Sequence, residues 1–460
     1  MKKLLILLAL FPFLMCACDN YLDIPPKGKM IPTRTEDFES ILNAPDQGNT
    51  SETYILSYLS DDAYVPDMVL PLFATLPYIH NAYTWQTSVY SELDKDELWS
   101  GAYKRIFSYN IIINRVLGSE GAGDAEKRSV RAEALVGRAL EYFYLVNAYG
   151  PAYDAVTAAT DLAVPLILEA DINQTEVVKS PVKKIYEQMI ADLTEALPDL
   201  PDQPRNNSFR ASKSAAYGLL SRIGLYMGDY ASALGNATEV LKVHNTLLDL
   251  NDYQVVNPDI SIGRHNLPDA KNSPEVFYAR TFPYPYGPAG LIWVSDELKA
   301  SYKEGDRRWD LYYSYFFEMM GSDLPWANYC AYVKMSVTPN VPEIYLTRAE
   351  CYARAGGAAN RQLALNDLNT LREKRFTKDK YTVLQSTDDK EVLRMVLTER
   401  RCELAFMGLR LFDQKRLNKE AEFKKDCKRT INGKTVILTP ESPQYILPVW
   451  PKVTQINPNL

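Results

Sequence analysis

Apolar residues recur at three- and four-residue spacing through most of this 460-residue chain, and two stretches interrupt the period. The first amphipathic run begins near Asp94 and carries Trp99, Tyr103, Phe107 and Ile111 on one face to about Leu117. Ala125 to Tyr149 predicts a second long helix, stopped by Gly150-Pro151. Ser180-Pro181 reads as an N-cap followed by a first-turn proline and opens a helix to about Leu197. Ala211 to Met227 follows, and Gly228-Asp229-Tyr230 turns the chain into a helix reaching about His244. The string from Ala216 to Leu234 alternates small and large residues up to and through that turn, the pattern of a tetratricopeptide repeat. A weaker copy runs from Ile344 to Gly356, followed by Ala364 to Arg375. Helical repeats are therefore placed at 94–149, 180–244 and 342–417, stacked so that each pair buries its apolar face on the next.

The interruptions have a different pattern. Residues 18–53 form a polar tether, with Pro25-Pro26, Gly28 and Pro32, that holds one short helix from Thr35 to Leu42. Residues 54–92 are aromatic and broken by Pro66, Pro71 and Pro77. Residues 251–341 are rich in Pro, Tyr and Trp and too long for a bare loop in a compact domain. In 428–460, Asn432-Gly433 between short β-prone runs predicts a hairpin, followed by an extended tail, Tyr445 to Pro451. The fold class is all-α dominated: a tetratricopeptide-like array of about four helix pairs, an irregular loop-rich subdomain and a small β-hairpin.

The densest run of charge is Thr398 to Arg416, read as a continuation of the last helix. At about 100° per residue, Glu399, Glu403, Arg410 and Asp413 fall within roughly 80° of one face, and Leu397, Leu404, Gly408 and Leu411 line another. Glutamates four apart repel unless cations meet them, and Arg400, Arg410 and Arg416 are the nearest. Gly408 costs about 1 kcal/mol against alanine inside a helix, which predicts a close backbone there. A packed helix with an ion-pair belt accounts for the run better than a catalytic carboxylate pair.

Composition adds an address and a surface. Lys2-Lys3, then Leu4 to Leu14, form a secretory signal whose core is too short to span a bilayer. Ala17-Cys18 is a lipoprotein cleavage point, so residues 1–17 leave and Cys18 is lipidated. That removes two lysines and no acid, taking the net charge from -7 to -9 and arguing against nucleic acid as a partner. Cys330, Cys351, Cys402 and Cys427 match no zinc spacing, and the sequence leaves disulfides and free buried thiols equally open. The 31 Tyr and 6 Trp imply surfaces that are partly apolar and partly wet.

Several of these features together resemble one family, the SusD/RagB outer-membrane lipoproteins of Bacteroidetes nutrient uptake. They are Cys18 with Tyr21-Leu22-Asp23, the Trp99, Tyr103, Ile106 and Asn110 helix, and Arg131-Ala132-Glu133-Ala134 with Arg138-Ala139. The Glu399 to Arg416 run joins them, with Met407 where the family has glutamate and Gln414 where it has leucine, as does Leu447-Pro448 with Asn457-Pro458. The resemblance implies one domain over residues 18–460, made of four helical repeat units with a loop-rich subdomain on one side. It also implies a SusC-like TonB-dependent transporter as partner, an outer-membrane location through a lipid anchor, and a glycan or peptide as ligand. Aromatic faces stack on the C–H face of a sugar while neighbouring polar groups bond its hydroxyls. Trp85 and Trp293 rank first for that task, then Tyr83, Tyr284 and Tyr286, with His80 and Asn81 as hydrogen-bonding groups. Only three histidines are present, well separated, and no phosphate-loop or dinucleotide fingerprint occurs, so no metal, cofactor or catalytic role is implied. A helical-repeat scaffold for protein partners is the competing class.

Overall fold

Apolar stripes set the helices where the periodicity places them, although Ser180 does not cap the helix it is expected to open: that helix starts at Val182, after Pro181, with no side-chain cap. The structure is a computed structural model and describes residues 32–48, 53–173, 177–205, 207–260, 263–281, 291–317, 320–330 and 336–460. First come α1 (Thr35–Leu42), α2 (Tyr54–Leu59), β1 (Ala63–Tyr64) and α3 (Pro77–Tyr83). The first repeats are α4 (Glu97–Arg115), α5 (Asp124–Tyr149), α6 (Val182–Ala196), α7 (Lys213–Met227) and α8 (Tyr230–Val243). The aromatic insert gives β2 (Trp293–Val294), α9 (Asp296–Ser301), α10 (Arg307–Tyr312), β3 (Tyr313–Phe317) and β4 (Ser322–Tyr329). The last repeats are α11 (Val341–Ala355), α12 (Gly357–Glu373), α13 (Asp389–Glu403) and α14 (Arg410–Leu417). The hairpin β5 (Cys427–Ile431) and β6 (Lys434–Leu438) and the short α15 (Pro451–Ile456) close the chain.

Aspartate and asparagine caps do much of the punctuation. Asp96 accepts the Trp99 amide at 3.1 Å to start α4 and also takes the Tyr149 hydroxyl at 2.7 Å, tying the start of α4 to the end of α5. Gly228 ends α7 in the left-handed region and Asp229 caps α8 through the Ser232 amide at 3.0 Å, so the Gly-Asp-Tyr turn works as the repeat pattern predicts. Helices then pack in sequence: α4 on α5, α5 on α6, α7 on α8, α8 on α11, and α11 on α12 and α13. Buried ion pairs connect layers: Arg138 to Asp192 at 2.7 Å, and Arg222 to Glu343 at 2.6 Å. Glu133, from the Arg131-Ala132-Glu133-Ala134 motif, receives Arg210 at 2.5 Å.

The two aromatic interruptions are less irregular than the sequence predicts, because they complete each other. β1, from the first, pairs with β2, from the second, in the register Ala63 to Val294 and Tyr64 to Trp293. With β4 and β3 they make a four-stranded antiparallel sheet in the order β1-β2-β4-β3. Strands this short carry little periodicity, and β1 and its partner β2 lie more than two hundred residues apart. The hairpin forms as expected, with Asn432 and Gly433 both at positive φ (47° and 75°) in a two-residue turn between paired β5 and β6.

The Thr398 to Arg416 run is the main correction. It is two helices, not one: α13 ends at Glu403 and α14 starts at Arg410. Between them Phe406 and Gly408 have φ of 62° and 76°, a left-handed geometry that an α-helix excludes. A side chain at Gly408 would meet Thr53 and Leu56 only at ordinary contact distance, so the turn, more than a close backbone, requires the glycine. Met407 is buried, and Gln414 is buried with its amide on the Cys427 thiol at 3.2 Å. Cys330, Cys351, Cys402 and Cys427 are free and buried, which settles the disulfide question for these four.

Candidate functional site

Paired carboxylates are the first place to look for chemistry, and here they are used structurally. Glu403 meets Arg308 at 2.9 Å and Arg375 at 2.9 Å, while Glu399 meets Arg308 at 2.6 Å and Arg372 at 2.8 Å, all buried or nearly so. The cations come from α10 and from the end of α12 and just beyond it, not from Arg400, Arg410 and Arg416. Those three bond Asp413 at 2.9 Å, Asp61 at 2.7 Å and Glu350 at 2.5 Å respectively. Burial works against the Glu403 carboxylate, but Arg375 and Arg308 outweigh it and hold the group below its usual range. The adjacent Asp61 and Asp62 are both buried, Asp62 on Arg401 at 2.7 Å. Burial opposes ionisation of Asp61, yet Arg410, Arg401 and Lys425 keep it well below the usual range.

Of the aromatic residues singled out in the sequence, the structure puts three in the core. Trp293 is 0% exposed and Trp85 6%, and Tyr83 is fully buried. The Trp85 indole donates to the Leu59 carbonyl at 2.8 Å, and the Arg429 guanidinium lies 4.1 Å from its ring centre and 4.3 Å from that of Tyr83. Those ring faces are therefore already occupied by a cation. Trp293 packs edge-on against Phe317 at 5.0 Å. Loop position does not decide exposure: Arg429, from the hairpin, reaches over the Tyr83 and Trp85 rings. His80 is half-buried, and Asn81 spends its amide on the Val89 carbonyl at 3.1 Å. Tyr284, Tyr286 and Cys18 lie outside the described residues.

Aromatic faces nearer solvent occur on the sheet. Tyr64, Trp293 and Asn328 are register partners across β1, β2 and β4, so they share a face, and Trp326, two residues before Asn328, joins them. Tyr64 and Trp326, both half-buried, lie 5.9 Å apart with their planes inclined at 50°. Burial raises the Tyr64 hydroxyl pKa, and the charges of Tyr83, Asp67 and Asp296 add to the shift; both aspartates are exposed. At the β3 edge, Tyr315 is 37% exposed and stands 6.5 Å from Trp309, with the Lys299 ammonium 5.5 Å and 5.8 Å from the two ring centres. Aromatic faces flanked by hydrogen-bonding groups suit a ligand with an apolar face and polar edges. The signal available in the sequence was the aromatic alternation Tyr313, Tyr315, Phe317, which marks a strand more than a loop.

This is a helical-repeat protein carrying an aromatic sheet on one side. Residues 20–225 match a family described as starch-binding, associating with the outer membrane, and residues 341–460 match the SusD family model. A SusD-like protein of Bacteroides ovatus is 28% identical over 244 residues, 49% of this chain and 39% of that relative, so the match spans well under half the relative's length. A SusD superfamily structure from Bacteroides thetaiotaomicron superposes with a TM-score of 0.72 at 20% identity, over 93% of this chain and 98% of its own. A structure named as a laminarin-binding SusD-like protein superposes with a TM-score of 0.63 at 19% identity, over 92% and 98%. The chain belongs to the SusD/RagB family.

Proposed function

We propose that the protein is a cell-surface lipoprotein that captures oligosaccharides and delivers them to a SusC-like TonB-dependent transporter. The observation that carries this reading is the Tyr64–Trp326 pair on the sheet built from both aromatic segments, with the exposed Asp67 and Asp296 acting electrostatically on the Tyr64 hydroxyl. The rings offer stacking surfaces and the carboxylates accept from sugar hydroxyls. Trp309 and Tyr315 extend the aromatic surface at the sheet edge, and the imidazole of His80, with Tyr284 and Tyr286, stays a candidate contact. The family description and the laminarin-binding neighbour support a glycan over other ligands. The signal sequence ending at Cys18 supports a lipid anchor, and among the described residues no helix is long and apolar enough to cross a membrane. The role is binding without catalysis, because the carboxylate pairs that invite a glycosidase reading are each neutralised by buried arginines.

The test is calorimetry of the mature protein against a glycan panel that includes laminarin and starch oligosaccharides. Binding is expected, and Trp326→Ala is expected to weaken it by about 5- to 30-fold, the loss of one central aromatic anchor worth ~1–2 kcal/mol. If no glycan binds while a peptide pool does, the ligand class is a peptide and the sugar reading fails.

A further inference from the structure

A second surface with ligand-binding chemistry lies among the helical repeats. Between α12 and the segment that leads into α13, an open groove of about 930 Å³ is floored by Leu365 and Leu384. That volume lies inside the range of about 300–1,000 Å³ typical of small-ligand sites. One wall is a stripe on α12: Gln362, Asn366, Thr370 and Glu373 recur at four, four and three residues and line a single face over roughly 16 Å. The other wall is the chain from Tyr381 to Thr387.

That second wall is pinned in place. Asn369 accepts the Leu384 amide at 2.8 Å and donates to the Leu384 carbonyl at 3.0 Å, and the Tyr381 hydroxyl donates to the Asn369 carbonyl at 3.2 Å. Thr377 anchors the segment to Gly305 at 2.8 Å, and Asp388 caps α13 at its far end. A groove whose walls are already fixed loses little entropy on binding. Within it Gln362 donates to the Asn366 carbonyl at 2.9 Å, which orients the two amides and leaves the Asn366 NH₂ and the Gln362 carbonyl outside that bond, on residues that line the groove. A donor and an acceptor side by side match the adjacent hydroxyls of a sugar, each of which both gives and takes a hydrogen bond. The Tyr381 ring and the exposed Val383 supply apolar surface.

Charge narrows the ligand. Among the described residues no lysine or arginine lines the groove, and the charged groups that do are Glu373 and Glu391. A sulfated or uronic-acid chain would bring anions to carboxylates on a protein that is already acidic. We propose that this groove is a second glycan site, for neutral oligosaccharides, sharing no residue with the sheet face. The inference rests on the glycan reading above. Two sites on one chain let a polysaccharide engage both, raising avidity without any new contact.

The experiment is affinity electrophoresis of the mature protein through gels containing amylopectin, laminarin, mannan or xylan, with polygalacturonate as the anionic control. The variants are Gln362→Ala with Asn366→Ala, Val383→Trp (which fills the groove from its exposed rim), Trp326→Ala, and the groove pair combined with Trp326→Ala. Backbone hydrogen exchange over 381–387 is followed with and without the retarding polysaccharide. A neutral polysaccharide is expected to retard the wild type. Each groove variant should weaken retardation about tenfold at unchanged thermal midpoint, the worth of one or two hydrogen bonds. The combined variant should abolish retardation, and the polysaccharide should protect 381–387. Unchanged retardation in both groove variants, with no protection at 381–387 while Trp326→Ala binds poorly, refutes the groove and leaves the sheet site standing. Retardation by no neutral polysaccharide refutes both, and stronger retardation by polygalacturonate refutes the assignment to neutral sugars.

Discussion

Replacing Glu403 by glutamine keeps the side chain's shape and removes its charge from a crowded buried node, where it meets two arginines. In the wild type, Glu403 Oε2 takes Arg308 Nη1 at 2.9 Å, and its two oxygens take Arg375 Nε at 3.1 Å and Nη2 at 2.9 Å. Both arginines are essentially unexposed, so in the variant their charges stay in a low-dielectric site with one carboxylate fewer. Breaking a buried pair from one side costs ~3–5 kcal/mol. The control is Asp199→Asn, whose partner Arg128 sits at a similar 2.9 Å but with half of its side chain exposed. Solvent screening limits that loss to below about 1 kcal/mol. Urea unfolding of both variants beside the wild type measures the contrast.

The same pair predicts a pH dependence. The arginines hold the folded Glu403 pKa below its unfolded value, so its contribution is complete above the ordinary glutamate pKa of about 4.3. It is lost as pH falls through the lower folded value, so wild type and Glu403→Gln should converge in stability in acid. A Glu403→Gln variant within about 1 kcal/mol of wild type at neutral pH refutes the argument that this motif is a structural brace. So does a stability gap that persists unchanged to low pH.

Other outcomes follow from burial and backbone geometry. Trp85→Ala and Trp293→Ala should each destabilise by ~3–5 kcal/mol, as large core truncations do, whereas Trp326→Ala should leave the urea midpoint nearly unchanged. Arg429 donates to the carbonyls of Tyr58, Ser60 and Tyr83, so Arg429→Met should cost about 3 kcal/mol or more, with Arg429→Lys recovering part of it. Gly408→Ala forces a Cβ into the left-handed region between α13 and α14 and should cost ~1–2 kcal/mol by thermal unfolding.

What the sequence determined by itself is what neighbouring residues decide. The helices at 97–115, 124–149, 182–196, 213–227 and 230–243 follow from a 3.6-residue apolar period, with side-chain caps at Asp96 and Asp229, and the hairpin follows from Asn432-Gly433. The family signatures were legible for the same reason: they are short runs whose spacing is fixed by one helix or one turn. The break at Phe406 and Gly408 was missed because Leu404, Gly408 and Leu411 keep helical spacing across it, and periodicity cannot report φ.

Only the tertiary structure decided which polar and aromatic groups meet. Glu403 finds its cations at Arg308 and Arg375, and Tyr64 finds Trp293 and Trp326, through contacts that span up to 262 residues of chain. Trp85 and Trp293 resembled binding residues because each lies in an irregular stretch, yet whether a ring faces water depends on what folds over it. Here Arg429 from the hairpin lies over Trp85, and the Phe317 ring of β3 packs against Trp293. Exposure belongs to the packing of distant segments, so the aromatic surface left open to a ligand appears only when the two interrupting stretches close into one sheet.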